Sequence, residues 1–214
     1  MEDFFRKITN SRFYRFGDKL GDIMALSLLW FVFSIPLITF VPSCSALYYA
    51  INRRKEKESD TPSKDFLHSF KTNLKQGSVI GLIYLIYTAI AVGNILIGRY
   101  GIGNVKLPSF YFPLSFILLL PIIFSLPFVI VCLARFENTT KKTIINGFTL
   151  STMYMGKSLF TIIAMIVTLA IIVVFPPSIL FLPALTCMLI VDSLEKAIRY
   201  TANMPKGEIN GEVS

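Results

Sequence analysis

The stretch LGDIMALSLLWFVFSIPLITFVPSCSALYYAINRRK, residues 20–55, decides how this chain folds. Its first part, 20–41, is an apolar run with a single acid, Asp22, near its start. About 20 apolar residues coiled at roughly 1.5 Å per residue match the ~30 Å hydrocarbon core of a bilayer. Lipid offers the backbone no hydrogen-bond partner, so helix is the default for such a run. Pro36 lacks the N–H that a helix interior needs and is expected to kink the run. Pro42 suits the first turn of a following helix. The second part, 43–55, is short for a span. Its Ser43, Ser45, Ala46 and Ala50 are small, as helix contacts in membranes prefer. Tyr48 and Tyr49 suit an aromatic belt, and Arg53 and Arg54 are expected to snorkel toward the headgroups. Whether 43–55 crosses decides the side on which the N-terminus lies.

The rest of the 214 residues extends this pattern: 54% are hydrophobic and 16% charged, against about 25% charged in soluble domains. Further apolar runs fall at about 77–97, 110–134, 158–175 and 178–195. Period-2 alternation, the mark of a membrane barrel, is missing. The expected fold is all-α: a polytopic transmembrane helix bundle of five to six spans with interfacial amphipathic helices. It forms one domain over residues 1–204, with hairpins at about 20–55, 77–134 and 158–195. Residues 205–214 are read as a disordered polar tail. Pro113, Pro121 and Pro127 are expected to bend the run 110–134, and Pro176-Pro177 to force a tight turn.

Between the runs lie three basic stretches. Residues 1–19 mix Phe4, Phe5, Ile8, Phe13, Tyr14 and Phe16 with Arg6, Lys7, Arg12, Arg15 and Lys19, which suits a helix in the headgroup layer. In 53–75, Phe66, Phe70 and Leu74 are spaced by four; in 135–157, Ile144, Ile145 and Phe148 keep helical spacing. Each third of the chain therefore reads as a basic amphipathic helix followed by a membrane hairpin, a weak internal repeat of the kind found in transporters.

Charge orients the bundle. The chain carries a formal net charge of +8. Its Lys and Arg number five in 1–19, seven in 53–75, two in 98–109, four in 135–157, none in 176–178 and three toward the C-terminal end. From residue 53 onward the heavy and light segments alternate, as the positive-inside rule requires. A cytoplasmic N-terminus then needs two crossings between 20 and 52, giving six in all with both termini inside a bacterial plasma membrane. Five spans would strand the basic N-terminus outside. Val41-Pro42-Ser43-Cys44 loosely resembles a lipoprotein cleavage box, but proline beside the cut fits poorly and a retained first helix is expected.

Chemistry is sparse. No nucleic-acid module accompanies the basic charge. Cys44, Cys132 and Cys187 lie singly in apolar runs, which gives no disulfide framework and suits small hydrophobes. The single histidine, His68, reads as a surface residue. No Ser/His/Asp constellation and no metal-ligand cluster is visible, so neither enzyme activity nor a cofactor is expected. Gly101-Ile102-Gly103 reads as a turn, not a phosphate cradle. Polar groups inside the apolar runs are the best functional pointers. Asp22 is expected to neutralise Lys19 or Arg15. Asp192 precedes Glu195, Lys196 and Arg199 at spacings that permit ion pairs along a helix. Asn94 is expected to bond a neighbouring helix.

Residues 29–50 resemble the YesL-like family of uncharacterised bacterial membrane proteins. The carrying pattern is Leu29-Trp30, then Ser34-Ile35-Pro36, Thr39, Pro42 and Ala46-Leu47-Tyr48-Tyr49. Phe70-Lys71-Thr72-Asn73-Leu74-Lys75-Gln76 and Arg135-Phe136-Glu137-Asn138 are similar to later polar stretches of that family. The resemblance implies a polytopic protein associated with carbohydrate uptake, with transporter subunits and the lipid bilayer as partners. It supplies no catalytic residue. A small-solute carrier or channel is the alternative, on the strength of the broken helices and the repeat.

Overall fold

Prolines and glycines set where the helices stop, and the apolar runs set how far they reach. In the computed structural model, which describes residues 12–101, 108 and 111–202, every regular element among the described residues is helical. Helix α1 spans Arg12–Ser34. Pro36 ends it rather than kinking it. The chain leaves the helix after Ser34, passes through a single 3-10 turn at Leu37–Thr39 and enters α2, Phe40–Lys55. The proline ring denies the helix a donor and keeps the preceding residue out of α geometry. The Thr39 hydroxyl closes the turn on the carbonyls of Phe33 and Pro36, at 2.7 and 2.9 Å.

Helix α3 runs unbroken for 39 residues, Pro62–Tyr100. The sequence reading separated an interfacial helix from a span here; the structure joins them. It ends at Gly101, whose φ of 77° is one that glycine adopts without a Cβ penalty. The run 110–134 splits into α4, Tyr111–Ile117, and α5, Leu120–Arg135. Pro121 takes the first turn of α5, while Pro127 lies inside it. Then come α6, Thr140–Met153, and α7, Met155–Val174. A 3-10 turn at Pro176–Leu180 leads to α8, Leu182–Ala202. The expectations for residues 1–11, the outward loop and the polar tail fall on 1–11, 102–107, 109–110 and 203–214, outside the described residues.

Among the described residues, three stretches are long and apolar enough to cross a bilayer: Pro62–Tyr100, Pro113–Arg135 and Met155–Val174. Their outer faces carry exposed Ile83, Ile86, Ile90, Ile163 and Ile166. Contiguous exposed aliphatic surface of this extent belongs against lipid rather than water. The chain is thus a membrane protein whose described residues form helices and no strand.

The helix at the centre is α2, buried on nearly every side. Small residues let α3 approach it closely. Gly77 lies against Pro42, and a Cβ at Gly81 would sit 2.8 Å from the Ile38 carbonyl oxygen. Phe33 of α1 packs on Phe66 and Phe70 of α3, with ring centroids 6.0 and 4.5 Å apart. The α2–α3 pair is therefore antiparallel, with Arg53 beside Asp65 at one end and the Leu37–Thr39 turn beside Gly81 at the other. From Gly81, α3 continues roughly 27 Å to Arg99 at 1.5 Å per residue.

Helix α5 returns along α3. Tyr84 and Ser125 share a hydrogen bond at 2.8 Å, and Gln76 donates to the Asn138 carbonyl, also at 2.8 Å. Helix α6 folds back on α5, with Gly147 against Val129. Helix α8 lies across α1 and α2: the Ala184 N–H donates to Ser27 Oγ at 3.2 Å, and Thr186 bonds Thr168 of α7 at 2.6 Å.

Candidate functional site

Four consecutive residues, Arg53-Arg54-Lys55-Glu56, close the C-terminal end of α2 and its cap. Three cations there face the negative end of the helix dipole, which favours them. Each residue of the run reaches a different part of the fold. Arg53 pairs with Asp65 of α3 at 3.1 Å and with Glu58 at 3.7 Å, and its guanidinium lies 5.7 Å from the centroid of the Tyr49 ring. Arg54 pairs with Asp22 of α1. Lys55 pairs with Asp192 of α8 at 2.8 Å and donates to the Met188 carbonyl. Glu56 pairs with Arg199 of α8 and, at 3.8 Å, with Arg135 of α5.

Glu195 is the hub on the other side of this cluster. Only 7% exposed, it accepts a hydrogen bond from the Tyr48 hydroxyl at 2.6 Å. Its second oxygen lies 2.9 Å from Arg135 Nη1 and 3.6 Å from Arg199 Nε, the latter one turn further along α8. A carboxylate this buried persists as an ion only with such partners around it. The network thus ties α1, α3, α5 and α8 to the end of α2.

Beside it opens a polar cavity of about 410 Å³, lined by Tyr48, Tyr49, Asn52, Arg53, Glu56, Glu58 and Arg135. A second cavity, of about 130 Å³, lies deeper, toward Trp30. Its walls are apolar, formed by Trp30, Leu47, Val131, Met165, Cys44 and Cys187 among others. The Trp30 indole N–H points at Cys44 Sγ, 3.3 Å away. The molecule is therefore charged at one end of α2 and mostly apolar along the rest of it, where the buried Ser43 and Ser45 are uncharged exceptions.

The residues singled out in the sequence divide by position. Tyr48, Arg135, Asp22 and Asp192 meet in the charged network, with Tyr49 at its edge. Asp22 meets a cation on α2, Arg54, and Asp192 meets another, Lys55. Acids from other helices meet Arg53 and Arg54. Trp30, Pro36 and Pro42 shape the α1–α2 hairpin. Phe70 packs on Phe33, Lys71 is exposed, and Asn73 donates to Ser69 Oγ at 3.3 Å. Asn138 contributes its carbonyl to Gln76. Asn94 accepts from the Tyr111 hydroxyl at 2.9 Å, a bond between neighbouring helices as expected, far from the network. His68 is exposed. Asn52, Glu56 and the hub role of Glu195 were missed. Their only signal in sequence is a polar residue within one turn of an apolar run.

Residues 23–95 match the model of a family described as a protein of unknown function, DUF624. The matched third of the chain includes Trp30, Pro36, Pro42, Tyr48, Tyr49, Phe70, Lys71 and Asn73, and stops short of Arg135 and Asn138. The similarity is to an uncharacterised family. No curated protein and no solved structure matches the chain.

Proposed function

We propose that this chain is a non-enzymatic multi-pass protein of a bacterial plasma membrane that assists or regulates a carbohydrate uptake system. The observation that carries an accessory role is the contrast along α2: an apolar interior beneath a charged end that links five helices. A carrier needs polar groups along its path at mid-membrane depth. Here the polar groups gather at one end, where they suit contact with a partner subunit. The carbohydrate class rests on the resemblance carried by residues 29–50 and by the later polar stretches. Co-purification of a tagged chain with carbohydrate transporter subunits is the expected result; sugar uptake unchanged on deletion of the gene would sink the reading.

Both termini are taken as cytoplasmic, in keeping with the alternation of Lys and Arg. The closeness of Gly81 to Ile38 supports a first hairpin that does not cross fully. Gly81 lies roughly 9 Å along α3 from Lys75, where the apolar part begins. A hairpin that dips to that depth and returns keeps the N-terminus inside without two full crossings. Three crossings by α3, α4–α5 and α7, a fourth by α8 with its shorter apolar part, and one re-entrant hairpin then replace the expected six. In a cysteine-free background, Phe5→Cys and Asp60→Cys should react from the same side of the membrane. Labelling of Ile38→Cys from the opposite, extracellular side would restore the two crossings.

A small-solute carrier is the second reading, favoured by the helix breaks at Ser34, Leu119 and Tyr154. Reconstituted protein that moves no solute from a broad panel would remove it.

A further inference from the structure

We propose that the polar cavity at the charged end of α2 is a binding site for a neutral, hydroxyl-rich small molecule. The inference stands on the lining alone and holds whether or not the protein docks a transporter. Its volume of about 410 Å³ is within the range of roughly 300–1,000 Å³ typical of small-molecule pockets. The charge of the lining is balanced, with Arg53 and Arg135 against Glu56 and Glu58. Each of these charges is also met within the protein: Arg53 by Asp65 and Glu58, Arg135 by Glu195 and Glu56. An anion or a cation entering the cavity would find its counter-charge already engaged. What the lining still presents is hydrogen-bonding capacity: guanidinium N–H groups, carboxylate lone pairs and tyrosine hydroxyls.

Asn52 makes the case specific. It is 8% exposed and lines the cavity, where its carboxamide is open to a ligand. A ligand that bonds it takes the place of water there, so each bond adds a modest net gain. The carboxamide both donates and accepts, as a pair of adjacent hydroxyls does. The Tyr49 ring beside it offers a flat apolar face to the C–H side of such a molecule. Hydroxyl-rich chemistry arises in two sources, a free sugar or the sugar headgroup of a glycolipid.

The test uses the full chain in a detergent without a sugar headgroup. Glucose, galactose, arabinose, maltose and glycerol are titrated by calorimetry, with inorganic phosphate and choline as charged probes and glucosyl-diacylglycerol vesicles as the lipid probe. Saturable binding of a free sugar supports the proposal and assigns a free solute. Binding to the vesicles alone supports it and assigns a headgroup. Asn52→Ala should weaken binding about tenfold or more, the loss of one or two good hydrogen bonds. Should that variant not fold, Glu58→Ala decides, since this side chain sits at the exposed rim; it should weaken binding severalfold. The proposal is overturned by no binding to any sugar or to the vesicles, by phosphate or choline binding in preference, or by wild-type affinity in the folded variants. None of these readouts depends on a transporter partner, so failure here leaves the accessory role standing, and the reverse.

Discussion

Two segments of this protein begin alike and end differently. Phe66, Phe70 and Leu74 on one, and Ile144, Ile145 and Phe148 on the other, mark basic amphipathic helices that lead into apolar runs. The first continues straight into its run as part of α3. The second stops at Met153; Tyr154 leaves helical geometry, and α7 starts afresh at Met155. In α3 the aromatic residues are the contact face, with Phe66 fully buried and Phe70 nearly so. Helix α2 lies along both the polar and the apolar part of α3, from Asp65 to Gly81, and supports it across the boundary. In α6 the large residues face outward, Ile145 at 51% exposure and Phe148 at 47%. Its contact face is the row Thr143, Gly147, Leu150 and Ser151, packed on α5. The break is then held in place by Tyr154, whose ring stacks on Phe128 with centroids 6.4 Å apart, and by the Ser158 hydroxyl, which donates to the Phe124 carbonyl at 3.0 Å. Equal hydropathy thus produces opposite contacts when one segment can approach its neighbour through small residues and the other through rings.

Substitutions at matched positions break or sharpen this contrast. Removing a fully buried ring costs most, so Phe66→Ala should lower stability by about 3–5 kcal/mol, read as a fall in the midpoint of an SDS titration in mixed micelles. Gly147→Leu should cost about 1–3 kcal/mol or more. A Cβ there would meet the Val129 backbone at 2.8 Å, so α6 has to lift from α5 rather than repack. Gly81→Ala adds a smaller side chain and should cost about 1 kcal/mol or more, because its Cβ would meet the Ile38 carbonyl oxygen, a backbone atom, at 2.8 Å. Increased labelling of Ile38→Cys in the double variant would report the loosened hairpin turn. Phe148→Ala should lie within about 0.5 kcal/mol of the parent. A loss at Phe148 as large as that at Phe66 would mean that the two helices are used alike after all.

The charged end shows where reading a sequence helps and where it stops. Asp22 and Asp192 were legible because an acid beside an apolar run is rare and needs a partner. Their partners were not. Neighbours along the same helix were the natural choice, whereas the structure supplies Arg54, in a different helix from Asp22, and Lys55, in a different helix from Asp192. The basic run 53–55 read as a headgroup anchor because lysine and arginine at the end of an apolar run usually are. What the structure adds is the arrival of Asp65, Asp22 and Asp192 from three other helices.

By itself the sequence determined the helical class, apolar stretches long enough to cross, Pro36, Pro121 and Pro176 as places where a helix is disturbed, and the uneven spread of basic charge. These are local quantities: hydropathy, run length and backbone restriction act on neighbours in the chain. Tertiary structure alone decided that α2 is the central helix, that α3 passes unbroken from its polar to its apolar half, and that the hairpin turn stops at Gly81. It also brought Tyr48 to Glu195, 147 positions away. Such pairs depend on how closely two helices can approach and at what angle. That is set by the shape of both surfaces together, as where Gly77 meets Pro42 or Gly147 meets Val129, and not by either residue's own preference.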